Sequence, residues 1–161
     1  ILSLKSGKYS IERPLHLGAG AAGAPDALLE TLTRFAIPVG RAFQIQDDIL
    51  GMFATEQSVG KPVDSDIREG KSTLLISHAY QQGSAADRET LLKGWGRAEA
   101  SEADVNAVRD VVLATGARDY AESRAADLAG EACAVLETSS IGSPAREVLA
   151  GLAHFVLNRR A

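Results

Sequence analysis

The sequence predicts an all-α fold, an antiparallel bundle of about six to eight helices. Apolar residues recur at spacings of three and four along most of the chain, as on the buried face of a helix. No stretch shows the strict alternation of apolar and polar residues that is typical of a half-exposed strand. The 161 residues suit one domain, and the 45% hydrophobic content is ample for a core.

The first third of the chain predicts three helices. The first residues are expected to end a helix, and Ser10 is a candidate N-cap for a second helix that reaches about Gly23. Asp26 is the candidate N-cap of a third helix. Pro38 lies inside the apolar pattern of that helix, where proline removes a backbone donor. We therefore expect a kink there, with the helix resuming and continuing to about Phe53.

The remainder of the chain predicts five more helices, each with its own start or stop signal. They are expected at residues 73–82, 84–92, 101–116, 117–137 and 143–158. Ser101 and Asp104 form a capping-box pattern, and Gly116 is a typical C-terminal stop. Ser143 followed by Pro144 predicts an N-cap with proline at the first helical position.

The helix that ends near Phe53 carries a polar face within an otherwise apolar pattern. Spacings of i, i+3, i+4 and i+7 place four residues on that face: Gln44, Asp47, Asp48 and Gly51. Adjacent carboxylates repel each other, and burying them ionised without a partner is costly. A hard cation removes this cost, because Mg²⁺ takes oxygen ligands and completes its shell with waters and substrate phosphates. An isolated pair would also fit a solvated acidic turn.

The segment after this helix supplies positive charge. Lys61 and Lys71 each follow a glycine, and residues 70–73 open a new apolar run. A helix start offers unpaired N–H groups and a positive dipole end, which suit an anion. Carboxylates for a metal, followed by lysines and a helix start for phosphate, predict a site for a metal-bridged diphosphate.

In this order the motifs resemble the second aspartate-rich region of trans-isoprenyl diphosphate synthases (polyprenyl synthetases). They read Phe-Gln-x-x-Asp-Asp, then Gly-Lys-x-x-x-x-Asp-Ile, then Gly-Lys-x-Thr-Leu. The stretch around Lys5 is similar to the family's Lys-Thr helix break, with Ser6 replacing threonine. The family's first aspartate-rich motif and an arginine pair lie upstream of that stretch and are absent from this sequence, which does not begin with methionine. We therefore expect residues 1–161 to be the C-terminal part of a single all-α polyprenyl synthetase domain of the isoprenoid-synthase type.

The resemblance implies Mg²⁺-dependent transfer of a prenyl group. An allylic diphosphate ionises, isopentenyl diphosphate attacks the carbocation, and positive charges stabilise the departing diphosphate. By the same resemblance Asp47 is a direct metal ligand, and Asp48 acts through a bound water or a hydrogen bond. Five side chains are expected to contact substrate: Lys5, Ser6, Gln44, Lys61 and Lys71. The three lysines among them, together with Asp47, are expected to be catalytic.

The family pattern Asp-Asp-x-x-Asp is incomplete here, because its third position is Gly51. This removes one carboxylate from the helix face. Asp66 is expected to support its own loop, and Arg68 is expected at the surface. Arg159 and Arg160 either lie near the homoallylic diphosphate, as terminal basic residues of this family can, or form a frayed tail.

Three functions remain open from the sequence. The first is a short-chain prenyltransferase of geranylgeranyl or farnesyl type, inactive as this fragment alone. The second is a non-catalytic, synthase-like partner or regulatory subunit, which Gly51 and the absent first motif favour. The third is a class I terpene cyclase, although such enzymes do not usually carry the pattern from Lys61 to Lys71. The retained carboxylates and lysines favour the first.

Composition excludes several other classes. A net charge of −4 argues against a nucleic-acid partner, and no apolar run approaches the roughly 18 residues of a membrane span. We expect a cytoplasmic protein. The single cysteine, Cys133, excludes an internal disulfide, and the three histidines lack metal-ligand spacing. Half a bundle leaves an apolar face uncovered, so we expect a homodimer or association with an N-terminal half.

Overall fold

The computed structural model of this chain describes residues 3–54 and 64–159, with side chains from Gly7 onward. Within these residues a π-helix, Ser3–Glu12, is followed by eight α-helices. They are α1 (Arg13–Ala21), α2 (Asp26–Phe53), α3 (Ser65–Arg68), α4 (Leu74–Gln82), α5 (Ala85–Gly94), α6 (Glu102–Ala114), α7 (Ala117–Glu137) and α8 (Ser143–Leu157). The described ranges contain no strand, which confirms the all-α prediction.

The chain start differs from the prediction. Ser10 caps no helix, because the π-helix continues through it and meets α1 directly at Arg13. The helix break expected near Ser6 is not found there: the π-helix runs without interruption from Ser3 to Glu12, and the helical period changes only at Arg13. Pro14 lies in the first turn of α1, and in a continuous α-helix its missing N–H would have bonded to the carbonyl of Ser10.

Helix α2 spans 28 residues and carries the acidic motif near its C-terminal end. Pro38 lies inside the helix without ending it, so the predicted continuation to Phe53 is confirmed. Asp26 is the first helical residue rather than the N-cap. The carbonyl of Pro25 accepts hydrogen bonds from the N–H groups of Leu28 and Leu29.

Local capping signals predicted several later boundaries well. Ser84 and Ser101 each begin a helix with a complete capping box, in which Asp87 and Asp104 return the hydrogen bond. Both carboxylates accept from a serine hydroxyl and a backbone N–H, and these bonds lower the pKa of both groups. Helix α7 has the predicted bounds.

The last helix begins one position away from its expected cap. Gly142 is the N-cap of α8, and Ser143 is already helical. The hydroxyl of Ser143 donates to Glu147 at 2.5 Å instead of capping the first turn. Pro144 still lies in that first turn, where its missing N–H costs the helix nothing.

The chain forms two compact units. The first combines Ile1–Gln46 with Arg124–Arg159, and its core includes Phe35, Val39 and Leu136. An apolar cavity of about 750 Å³ in this unit is lined by parts of α1, α2 and α8 and the turn before α8. No helix in the described part of the chain has the length and apolar character to cross a membrane.

The second unit contains Asp47–Ser123 and holds the acidic end of α2. Its core is built around the fully buried side chains of Ile67, Val108 and Val112. Ile67 belongs to α3 and anchors that short helix against the core. That residues 1–161 are the C-terminal part of a single domain stays a prediction.

Candidate functional site

Three predicted polar residues meet in the second unit. The Nζ atom of Lys71 lies 2.9 Å from Oδ1 of Asp48 and 2.9 Å from Oδ2 of Asp66. The Asp48 side chain is only 5% exposed, whereas that of Lys71 is 38% exposed. A buried carboxylate is costly unless a partner compensates its charge, and Lys71 is one such partner. We call Asp48, Asp66 and Lys71 the Lys71 cluster.

The charge of Lys71 is stabilised where it lies. Burial disfavours the ammonium form, but hydrogen bonds to Asp66 and Asp48 outweigh that effect and raise the pKa of Lys71 above its ordinary value. The ammonium is therefore fully charged at neutral pH. One ammonium and two carboxylates leave the cluster with a formal charge of −1, and the exposed Asp47 next to it adds another negative charge. An anion would meet repulsion here unless a cation balanced these carboxylates.

The backbone of Lys71 is held by a turn, which precedes the helix start predicted from residues 70–73. Gly70 has a φ of +69°, and a side chain there would place its Cβ 2.8 Å from the Cα of Gly96. The indole N–H of Trp95 donates to the carbonyl of Lys71 at 3.3 Å. The N–H groups of Gly70 and Gly96 both donate to the carbonyl of Ile67. Glycine at both positions lets the two backbones approach closely enough for these bonds.

A second ion cluster lies beside the first in sequence. Asp64 accepts from Arg68 at 3.2 Å and from Arg109 at 3.0 Å. Burial opposes the ionised form, but the bonds to Arg109 and then Arg68 prevail and lower the pKa of Asp64. Arg109 also donates its Nε–H to the carbonyl of Met52 at 2.9 Å, so it ties the end of α2 to Asp64.

The two arginines of this cluster differ from the sequence-based expectation. Arg68 was expected at the surface, but its side chain is only 27% exposed and also donates to the carbonyls of Ala98 and Ala100. A guanidinium has five donors, which favours such a multiply bonded position. The sequence did not indicate a role for Arg109, because this residue lies 45 residues after Asp64 and no local pattern marks it.

The remaining predicted residues fall into different environments. Asp47 is exposed and Gln44 half-buried, although helical spacing predicted a common face with the buried Asp48. Lys5 and Ser6 lie on the π-helix, but the structure describes side chains only from Gly7 onward. Lys61 and Arg160 lie outside the described residues.

The basic chain end and the histidines have structural contacts. The guanidinium of Arg159 lies 4.4 Å from the ring centre of Phe43, which disfavours the frayed-tail alternative for that residue. His78 stacks on Tyr120 with ring centres 4.2 Å apart. Nε2 of His16 lies 2.9 Å from the hydroxyl oxygen of Thr33. These contacts give His16 and His78 structural roles.

The described residues contain no group of three or more His, Cys, Asp or Glu side chains placed to hold a metal ion. Mg²⁺ commonly uses only one or two protein carboxylates together with waters and substrate phosphates. An exposed Asp47 next to a buried Asp48 fits that donor set. The formal charge of −1 on the Lys71 cluster favours a cation on the same grounds.

Comparison with known proteins identifies the class to which this fold and site belong. The sequence model of the polyprenyl synthetase family matches residues 1–112. The chain therefore belongs to the polyprenyl synthetase family, as the motif order suggested.

Individual relatives are short-chain members of that family. A short chain isoprenyl diphosphate synthase of Methanothermobacter thermautotrophicus is 39% identical over 145 residues, covering 88% of this chain and 43% of the relative. A geranylfarnesyl diphosphate synthase of Aeropyrum pernix is 34% identical over 160 residues, covering 99% and 49%. This chain thus spans about half the length of these relatives.

The fold also matches a solved structure of the same class. Geranylgeranyl pyrophosphate synthase from Corynebacterium glutamicum, complexed with isoprenyl diphosphate and magnesium, superimposes with a TM-score of 0.91 at 35% identity. The match covers 98% of this chain and 45% of the other.

Proposed function

We propose that this chain supplies the second aspartate-rich part of a prenyl diphosphate synthase. The complete enzyme condenses an allylic diphosphate with isopentenyl diphosphate and releases diphosphate, with Mg²⁺ as cofactor. The short-chain relative and the geranylgeranyl pyrophosphate synthase structure support a short-chain product, of geranylgeranyl or farnesyl type. The observation that carries the proposal is the Lys71 cluster, an ammonium held between two carboxylates beside the exposed Asp47.

We propose a distinct task for each residue. Asp47 holds the metal ion, and Asp48 acts through its hydrogen bond to Lys71 rather than as a full ligand. Lys71 presents a fixed positive charge to the diphosphate, while Lys5, Ser6, Gln44 and Lys61 are the further predicted substrate contacts. Bound Mg²⁺ would supply electrostatic stabilisation of the departing diphosphate. A preorganised positive charge stabilises the same oxygens without having to reorganise during the reaction.

The runner-up function is a non-catalytic, synthase-like subunit. A protein that merely binds an active partner has no need to hold a lysine between two carboxylates next to a third. The loss of the third carboxylate at Gly51 favours this alternative only if nothing replaces it. The Asp66 carboxylate lies directly against Gly51, which weakens that argument.

We further propose that activity requires the N-terminal half of the family domain and that this chain alone is inactive. Large apolar side chains of the first unit support a covered surface: Leu17, Val148 and Phe155 are more than 60% exposed. The cover would be that N-terminal half or a second copy in a homodimer.

Product analysis tests the proposed function. The complete enzyme is incubated with isopentenyl diphosphate and either dimethylallyl, geranyl or farnesyl diphosphate, with Mg²⁺ or with excess chelator. We expect Mg²⁺-dependent formation of farnesyl or geranylgeranyl diphosphate. A folded, complete protein that turns over none of these substrates in the presence of Mg²⁺ would instead support the non-catalytic subunit.

A further inference from the structure

Gly51 leaves space that a neighbouring carboxylate uses. A Cβ atom placed on residue 51 would lie 2.7 Å from Oδ2 of Asp66 and 3.4 Å from its Cγ. Real Cβ atoms essentially never approach another atom to 2.7 Å, so any side chain larger than glycine displaces this carboxylate. The Asp66 side chain thus lies against the bare backbone of α2, where the family's third aspartate would be.

The oxygen that lies against Gly51 is the same oxygen that holds Lys71. Oδ2 of Asp66 accepts the hydrogen bond from Nζ of Lys71 at 2.9 Å. Nζ of Lys71 also lies 2.9 Å from the buried Asp48. A methyl group at residue 51 would therefore clash with Oδ2 of Asp66, the atom that accepts the hydrogen bond from the Lys71 ammonium.

The backbone around Asp66 is held in place by hydrogen bonds and by the buried neighbour Ile67. Lys71 donates its own N–H to the carbonyl of Asp66 at 3.0 Å, and Ile67 is fully buried. The turn at Gly70 and Gly96 holds the other end of the segment. Asp66 then has to respond by rotating its side chain, which moves Oδ2 from the position where it accepts the hydrogen bond of Lys71.

We infer that Gly51 is a positioning residue, which lets Asp66 and Asp48 hold Lys71 between them for the allylic diphosphate. This inference rests on the proposed function. It changes the meaning of the incomplete Asp-Asp-x-x-Asp pattern, because the carboxylate absent at residue 51 is matched by one from residue 66. Restoring the family pattern with Gly51→Asp adds no ligand in this arrangement but forces two carboxylates into the same space.

A kinetic double-mutant cycle in the complete enzyme tests the inference. Gly51→Ala should raise the KM for the allylic diphosphate about tenfold, the size expected for losing one charge-assisted hydrogen bond. The KM for isopentenyl diphosphate should stay unchanged, because Lys71 is assigned to the other substrate. Asp66→Ala should have the same effect, and the double variant should match Asp66→Ala alone, because both changes act through one carboxylate.

Gly130→Ala is the matched control. Gly130 lies inside α7, and a methyl group added at its Cα would meet no neighbouring atom within 4 Å, so alanine there should leave both KM values unchanged. A harmless Gly51→Ala, or losses at residues 51 and 66 that multiply, would overturn the inference. If Gly51→Ala does not fold, the double variant decides: it should fold and behave as Asp66→Ala, and its failure to fold would count against the contact.

A stability cycle separates this inference from the proposed function. The same four proteins are unfolded with denaturant without any substrate. Gly51→Ala should lower the unfolding midpoint in the wild-type background and raise or preserve it in the Asp66→Ala background. If no variant and no wild type shows prenyl transfer, the proposed function fails, and the unfolding cycle still decides whether residue 51 acts on Asp66.

Discussion

Replacing Lys71 with alanine tests how far the buried Asp48 depends on its partner. Removing one partner of a buried ion pair costs about 3–5 kcal/mol, because an uncompensated charge stays in the interior. Asp48 fits that case at 5% exposure, but Lys71 is 38% exposed, so water replaces part of the lost interaction. We therefore expect Lys71→Ala to lower the free energy of unfolding by about 2 kcal/mol.

Denaturant unfolding at neutral pH measures this loss, and the chain offers a matched control. Lys93 pairs with Glu89 on the surface of α5, at 3.0 Å and with both side chains more than 60% exposed. Lys93→Ala should cost no more than about 0.5 kcal/mol. In the Lys71→Ala background, Asp48→Asn should recover most of the loss, because it removes the buried charge. Equal losses in the two lysine variants, or no recovery by Asp48→Asn, would refute the reasoning.

Three further outcomes follow from the site. Asp47→Ala in the complete enzyme should lower Mg²⁺-dependent kcat by at least about a hundredfold, while alanine at the exposed Asp110 of α6 leaves it unchanged; equal kcat values would remove Asp47 from the metal site. The stability that Asp64 adds, measured as the difference from Asp64→Asn, should be present above pH 3.8 and disappear as the pH falls through its lowered pKa; a difference that does not vary with pH would contradict the ion pairs. Sedimentation of this chain alone should show self-association through its exposed apolar side chains, and a compact monomer would contradict it.

The helices were predictable where their signals are local. Ser84 and Ser101 cap their helices through partners three residues away, so the sequence contains the whole interaction. The prediction that Ser10 caps a helix was wrong. Whether the chain caps or continues a helix there depends on the period of the preceding turns, which a single serine does not determine. The predicted N-cap at Ser143 was wrong by one position, because the glycine immediately before it is the N-cap.

The site was predictable in its residue types but not in its supports. Asp48 and Lys71 were marked by their motifs, and the structure brings them together. Trp95, Gly96 and Arg109 were not marked, because they act through contacts across 24 or more residues of sequence. Such partners depend on how helices pack, and one sequence without its fold contains no periodic signal for them.

The pairing of Lys71 with two carboxylates has a physical reason in a diphosphate site. A free lysine loses up to about 2 kcal/mol of rotamer entropy when a ligand orders it, and that loss weakens binding. Asp48 and Asp66 order the ammonium before any substrate arrives, and Trp95 orders its backbone. The three groups together carry a formal charge of −1, so the proposed site would bind diphosphate through Lys71 more strongly when a cation balances the carboxylates. Preorganisation of the lysine would thereby link diphosphate binding to the metal ion of the proposed function.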